Sequence, residues 1–307
     1  MKKRIQNRLA ESRFAFPVMI IYGLAVWLGA GTVTEGAYLQ LAFFVASTLL
    51  MMMLNNTNSL IRIYSRMVSC SFVAMTCAAT FLFSSLESCA TGMCFILFYL
   101  SLLRSYQDKR APGIAFYSFA CLGIASLFFV QILYFVPFLW ILMASNMMAL
   151  THRMFWATVL GLVMPYWFAV GYYVVTNQFD AFIDHFAELA QFEPLLQYEA
   201  LDIHRIATFG LVLLLAVIGI IHYMRNSYQD KIRTRMIFEM FITVDILSFV
   251  FIILQPQHFD NLLPIIIVNT SCLFAHYVAL TRTWLTNVTF IVMCLATLGL
   301  TIFNLMP

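Results

Sequence analysis

The chain has 307 residues, of which 63% are hydrophobic and 10% charged, and its mean hydropathy is +0.89. Soluble domains contain roughly 45–50% apolar and about 25% charged residues, so this composition excludes an ordinary soluble protein. The formal net charge of +3 does not indicate a nucleic-acid partner, because such binding needs clustered positive charge. We therefore expect an all-α protein, a polytopic transmembrane helical bundle that forms one integral membrane domain over residues 1–307.

Apolar segments along the chain predict about eleven transmembrane helices. A span needs roughly 20 apolar residues, and segments near this length recur throughout the sequence. The predicted spans cover 14–32, 37–54, 68–86, 89–103, 113–130, 133–150, 154–176, 206–224, 236–255, 260–280 and 283–304. The segment 113–150 contains no charged residue, so it is either two short helices that meet near Gln131 or a re-entrant hairpin.

The basic residues predict how these spans cross the membrane. Short loops that carry Lys and Arg stay cytoplasmic, and eleven spans place sixteen of the seventeen Lys and Arg residues on one side. Arg205 is the exception. We therefore predict a multi-pass protein of the bacterial inner (plasma) membrane, with its N-terminus in the cytoplasm and its C-terminus outside.

The outer loop 177–205 is the one long connection between predicted spans. Its apolar residues follow helical spacing from Phe179 to Ala190 and stop before Pro194. This pattern is typical of an amphipathic helix that lies in the plane of the membrane interface. We predict such a helix over 178–192, where it either roofs an outer groove, caps the bundle or docks a protein partner.

A second amphipathic pattern lies on the predicted inner side, between the second and third spans. Leu60, Ile63, Tyr64 and Met67 follow helical spacing. The pattern predicts a short interfacial helix with Ser59 as its N-cap.

Two groups of polar residues fall inside the predicted spans. Asp245 lies deep in its span, where a carboxylate is costly, and Asn269 lies at a similar depth on the next span. This pair is either a proton or cation site or a hydrogen bond that joins two helices. Nearer the inner end, His222, Glu239 and His276 come from three consecutive spans. Two histidines and a carboxylate suit iron or zinc, but ordinary interfacial side chains are the favoured interpretation and no metal site is predicted.

A third group lies on the predicted outer face. Glu35 follows the first span directly, and a carboxylate can act as a general base. Arg205 is the only fixed positive charge predicted on that side, and a guanidinium can hold a phosphate. We take Glu35 as the candidate catalytic residue, and His204, Arg205, His258 and Asp260 as candidate substrate-binding residues. The alternative is an acidic loop residue and a guanidinium that reaches the interface.

This combination of features resembles the polytopic GT-C glycosyltransferases. Shared features are the inner N-terminus, the number of spans, an acidic residue in the first outer loop and an in-plane outer helix. Those enzymes take sugars from polyprenyl-phosphate carriers at the outer leaflet. The resemblance implies that Glu35 is the catalytic carboxylate, that Arg205 contacts the carrier phosphate and that the substrate is a lipid-linked sugar. The stretch from Phe95 to Tyr173 also resembles bacterial multi-pass inner-membrane proteins, which implies no chemistry.

Other functions stay open from the residues alone. A proton-coupled transporter or permease would use Asp245 as its coupling site, and a non-catalytic subunit would present its outer helix to a partner. An iron-dependent membrane oxygenase would need clustered histidines, whereas the six histidines divide between the two predicted faces. An inactive relative of the transferases would keep only their fold. We expect the lipid bilayer as a partner, no nucleic acid and no resident cofactor, with a divalent metal left open.

Overall fold

The computed structural model describes residues 4–32, 36–191 and 201–306. This part of the chain is all-helical, with 84% helix and no strands. The helices are α1 (Ile5–Ala10), α2 (Ala15–Gly29), α3 (Tyr38–Asn58), α4 (Met67–Ala78), α5 (Leu86–Leu102), α6 (Pro112–Phe128), α7 (Val136–Ser145), α8 (His152–Val175), α9 (Phe179–Ala187), α10 (Ile203–Asn226), α11 (Ile232–Leu254), α12 (Phe259–Leu280) and α13 (Trp284–Leu305). The candidate catalytic residue Glu35 lies outside the described residues.

Seven of the described helices are long and apolar enough to cross a membrane: α3, α5, α8, α10, α11, α12 and α13. They coincide with seven of the predicted spans. The other four predicted spans coincide with the shorter apolar helices α2, α4, α6 and α7, whose crossing stays a prediction. Since a membrane span needs an apolar helix of this kind, the seven long helices support a membrane protein.

Helix α12 forms the centre of the bundle. Its 18-residue apolar window is 94% buried, and α1, α4, α5, α10 and α11 all pack around it. The contact with α10 is close at Gly219, where an added Cβ would come within 2.9 Å of the Leu273 backbone. Small residues allow such close approach, which is how helices associate in lipid.

The segment 113–150 forms two antiparallel helices. Helix α6 leads through a short 3₁₀ segment, Val130–Phe135, into α7. After α7 the chain is back at the end of the bundle where α6 begins. The hydrogen bond from the N–H of Gln107 to the carbonyl of Met147, at 2.9 Å, joins the two connections there. The two short helices meet at the 3₁₀ segment that contains Gln131. Whether they cross the membrane or form a re-entrant hairpin stays a prediction.

The predicted interfacial helix after Ser59 is wrong. Helix α3 continues to Asn58, and Ser59 is its C-cap in the left-handed conformation, with φ 49°. The following residues, 60–66, form bends rather than a helix. The apolar spacing there instead serves packing, since Leu60 and Ile61 are buried in the core.

The polar residues that join helix termini gather at two opposite ends of the bundle. At the first end, which we call the Arg205 end, Arg205 of α10 pairs with Asp260 of α12. At the second, the Asp230 end, Asp230 pairs with His276 near the other terminus of α12. These two ends hold the candidate sites.

Candidate functional site

A polar pocket of about 340 Å³ opens at the Arg205 end. It lies where the C-terminal ends of α2 and α13, the α4–α5 connection and the start of α10 meet. Its lining residues are Ala30, Thr32, Thr80, Phe81, Asp202, His204, Arg205, Asn304, Leu305 and Met306. We call this cavity the Arg205 pocket.

The Arg205 guanidinium is fixed in place by a two-point ion pair. Its Nε and Nη2 atoms each lie 2.9 Å from one carboxylate oxygen of Asp260, and its Cζ lies 5.3 Å from the ring centroid of Phe81. The side chains of Arg205 and Asp260 are 31% and 39% exposed. An arginine has five N–H donors, so a fixed fork with two bonds to Asp260 keeps donors for an anion in the pocket.

His204 is held by the amide of Asn304. The Asn304 Nδ2 donates to the Ala78 carbonyl at 2.6 Å and to the Thr208 hydroxyl at 2.9 Å, which makes its Oδ1 the acceptor. The Oδ1 lies 2.9 Å from His204 Nδ1, so Nδ1 carries the proton and Nε2 is the basic nitrogen of the neutral ring. The ring also stacks on Phe303, with centroids 4.5 Å apart.

The residues that flank Glu35 adjoin this pocket. Thr32, three positions before Glu35, lines it. The N–H of Ala37 donates to the carbonyl of Thr32 at 3.0 Å, so the two described edges of the loop meet. The structure therefore brings the flank of Glu35 together with His204, Arg205 and Asp260.

His258 lies apart from these residues. Its ring centroid is 5.5 Å from that of Phe129 and 5.7 Å from that of Phe251, which places it beside the α6–α7 connection. His258 is not among the residues that line the Arg205 pocket. Proximity to Asp260 in the sequence grouped it with that residue, although His258 ends the 3₁₀ turn Pro256–His258 and Asp260 lies in the first turn of α12.

Helix α9 also lies away from the Arg205 pocket. Its residues Phe182 and Phe186 pack on Tyr166 of α8, with centroids 6.4 and 5.0 Å away. In the following 3₁₀ turn, the carbonyl of Leu189 accepts from the Tyr134 hydroxyl. Of the described residues, none from α9 lines the Arg205 pocket, so its aromatic face covers α8 rather than the candidate site.

Asp245 is buried between helices, with 0% exposure. The Thr270 hydroxyl of α12 donates to its Oδ2 at 3.1 Å. Asn269 bonds elsewhere, since its Oδ1 accepts from the Tyr99 hydroxyl at 2.7 Å and its Nδ2 donates to the Ile265 carbonyl. The structure thus pairs Asp245 with Thr270 rather than with Asn269. The partner of Asn269 is Tyr99, which hydropathy alone did not single out.

The third predicted group, His222, Glu239 and His276, is only partly assembled. The rings of His222 and His276 are 5.4 Å apart, but Glu239 accepts instead from Asn146 Nδ2 at 2.9 Å. The carboxylate beside His276 is Asp230, whose Oδ2 lies 2.9 Å from His276 Nε2.

The sequence did not single out Asp230, because this residue lies in a loop outside the predicted spans. The available signal was an acid among four basic residues, Arg225, Lys231, Arg233 and Arg235. Arg62 adds a guanidinium nitrogen 3.8 Å from its Oδ1. Within the described ranges, no group of three or more His, Cys, Asp or Glu residues is placed to hold a metal ion.

These features define the class of the protein: a helical membrane protein with a polar pocket at one end of its bundle. Comparison with known proteins finds no matching family model, curated protein or solved structure. What the protein does is therefore inferred from the chemistry of the pocket.

Proposed function

We propose that the protein is a GT-C-like glycosyltransferase that acts on a lipid-linked sugar at the outer leaflet, with the Arg205 pocket as its active site. One observation carries this proposal. Arg205, His204 and the residue Thr32 that precedes Glu35 all line a single pocket. Glu35 follows Thr32 by three positions in the sequence, and we assign it to this site.

The proposal includes eleven membrane crossings, with the N-terminus inside and the Arg205 end outside. The four shorter apolar helices would then cross as well. Helix termini from distant parts of the chain meet at both ends of α12. These contacts support helices that run between two opposite faces, as membrane crossings would. The basic residues Arg62 and Arg233 bond at the Asp230 end, which suits a cytoplasmic face.

In this reaction Arg205 would stabilise the leaving group. The bond between the sugar C1 and the carrier phosphate oxygen breaks, and the phosphate leaves with the electron pair. A bond forms between C1 and the oxygen of an acceptor hydroxyl, whose proton passes to Glu35. A guanidinium held as a fork by Asp260 matches a phosphate better than a mobile point charge would, and needs little rearrangement as charge develops.

His204 offers a second basic group in the same pocket. Its Nε2 carries the lone pair because Nδ1 donates to Asn304. We assign it to positioning the acceptor hydroxyl by accepting a hydrogen bond, beside Glu35 as the general base.

Asp245 is assigned to helix pairing in this proposal. A transporter would need a path that carries ions or protons to this residue, whereas Asp245 is fully buried and does not line the Arg205 pocket. Its bond to Thr270 joins α11 to α12, which is the role expected of a polar residue between helices in lipid.

The test is binding of a polyprenyl phosphate to the full chain in phosphatidylcholine nanodiscs, followed by sugar transfer from a polyprenyl-phosphate sugar. We expect Arg205→Ala to weaken binding at least tenfold, because the phosphate loses its guanidinium. Glu35→Gln should keep binding and lower the transfer rate at least a hundredfold, since the amide is no base.

The matched control is Arg66→Ala, which removes a half-buried arginine from the opposite end, where it bonds Asn56 and Tyr64. Binding and transfer should stay within twofold of the wild type. Equal polyprenyl-phosphate binding by wild type and Arg205→Ala would overturn the assignment of the pocket. Binding without transfer in the wild type would support an inactive relative instead.

A further inference from the structure

A second cavity of about 400 Å³ lies on the flank of the bundle, between α2 and the last helix, α13. Helices α2 and α13 both pack on α4 and leave a groove between them. Its walls include Phe14 and Val18 from α2 and Phe290 and Leu298 from α13, with Ala74 of α4 in its floor. We call this cavity the α2/α13 groove.

The α2/α13 groove has the length of one membrane leaflet. From Phe14 to Tyr22 the wall rises through eight residues, which is about 12 Å of helix, and the hydrocarbon core of one leaflet is about 15 Å thick. The groove stops where the Tyr22 hydroxyl meets the Thr301 hydroxyl at 2.9 Å. It therefore has the depth of one leaflet and an apolar lining that suits a hydrocarbon chain.

Two exposed arginines neighbour lining residues of this groove in the sequence. Arg8 and Arg13 are exposed and adjoin the lining residues Leu9 and Phe14, with Glu11 as the acid between them in the sequence. Such a basic cluster at the end of an apolar groove complements the phosphate of an anionic lipid.

The mouth is also fixed in position by hydrogen bonds of α1. Gln6 Nε2 donates to the Val278 carbonyl at 2.7 Å and to the Thr281 hydroxyl at 2.6 Å. Asn7 Nδ2 donates to the Thr281 carbonyl at 2.9 Å. Because α1 is anchored to the end of α12 by its buried face, its Arg8 stays beside the groove and needs little rearrangement to meet a ligand.

We propose that the α2/α13 groove binds an anionic phospholipid from the leaflet at the Asp230 end, with one acyl chain between α2 and α13 and the phosphate at Arg8 and Arg13. The site is separate from the Arg205 pocket, since the Tyr22–Thr301 contact lies between the two cavities. The inference is therefore independent of the proposed transferase activity.

Native mass spectrometry of the full chain, released from micelles that contain either phosphatidylglycerol or phosphatidylcholine, tests the site. The wild type should retain one phosphatidylglycerol, with at least a fivefold preference over phosphatidylcholine. Ala74→Phe fills the floor of the groove and should lower the lipid-bound fraction at least fivefold. The control Ala296→Phe adds the same bulk at an exposed position of α13 outside the groove and should stay within twofold.

The headgroup part has its own variants, which leave the packing of the groove intact. Arg8→Gln with Arg13→Gln should keep the adduct but remove the preference for phosphatidylglycerol. Lys109→Gln with Arg110→Gln, exposed in the α5–α6 connection, should preserve it. Equal retention of the two lipids by the wild type, or an unchanged preference in the Arg8 and Arg13 double variant, would overturn the proposal even if Ala74→Phe fails to fold.

Discussion

Each end of the bundle holds a carboxylate paired with a basic side chain, in opposite settings. Arg205 and Asp260 meet at the wall of an open pocket, with about a third of each side chain exposed. Asp230 and His276 meet inside the protein, with side chains 2% and 0% exposed. A buried pair loses much stability when one partner is removed, whereas an exposed pair contributes little. The difference predicts that the Asp230 end contributes more to stability than the Arg205 end does, and it is consistent with the proposed ligand site at the Arg205 end.

The largest effect on this comparison is expected from Asp230→Ala. The change leaves His276 Nε2 buried without its partner and removes the counter-charge of Arg62, so the free energy of unfolding should fall by about 3 kcal/mol. Chemical denaturation in detergent micelles measures it. Asp108→Ala, in an exposed loop of the chain, is the control and should change stability by less than about 0.5 kcal/mol.

An intermediate effect is expected at Asp245, which lies between the two ends. Asp245→Leu removes the acceptor for Thr270 and should cost about 1 kcal/mol, the typical size of a hydrogen bond between helices in lipid. Asp245→Asn keeps a carbonyl oxygen at that place and should stay within about 0.5 kcal/mol of the wild type. The same denaturation experiment separates the two variants, and a loss above about 3 kcal/mol in Asp245→Asn would contradict the helix-pairing role.

The smallest effect on stability is expected from Asp260→Asn. The pair is partly exposed, so the free energy of unfolding should fall by less than about 1 kcal/mol. The guanidinium loses its two-point hold, and the transfer rate should fall more than the binding of polyprenyl phosphate does. A stability loss as large as that of Asp230→Ala would remove the contrast between the two ends.

The sequence predicted the helices well, because hydropathy over about 20 residues decides which segments leave water. It predicted partners poorly, because pairing depends on rotation about the helix axis. Asn269 and Thr270 differ by one position, yet one residue turns the side chain by about 100°, and only Thr270 faces Asp245. Glu239 was chosen over Asp230 for a different reason: that group was drawn from polar residues inside the predicted spans, and Asp230 lies in a loop outside them.

Turns and helix caps were the second feature that the sequence predicted poorly. Ser59 is common at helix N-caps, and the apolar spacing after it favoured a helix start. In the structure, Ser59 ends α3 instead, and the residues that follow it, Leu60 and Ile61, are buried in the core. At the Arg205 end, the link between His204 and Asn304 spans 100 residues of sequence, and a single chain offers no local signal for such a contact.

The central position of α12 also bears on how the protein is made. Ribosomes synthesise a chain from its N-terminus, so α1, α4 and α5 are made long before the helix that all three contact. Until about residue 280 has emerged, the surfaces that will surround α12 have only lipid or insertion factors to cover them. Closure of the bundle is therefore a late event in synthesis. Truncation just before α12 should leave nascent chains that the membrane quality-control proteases recognise.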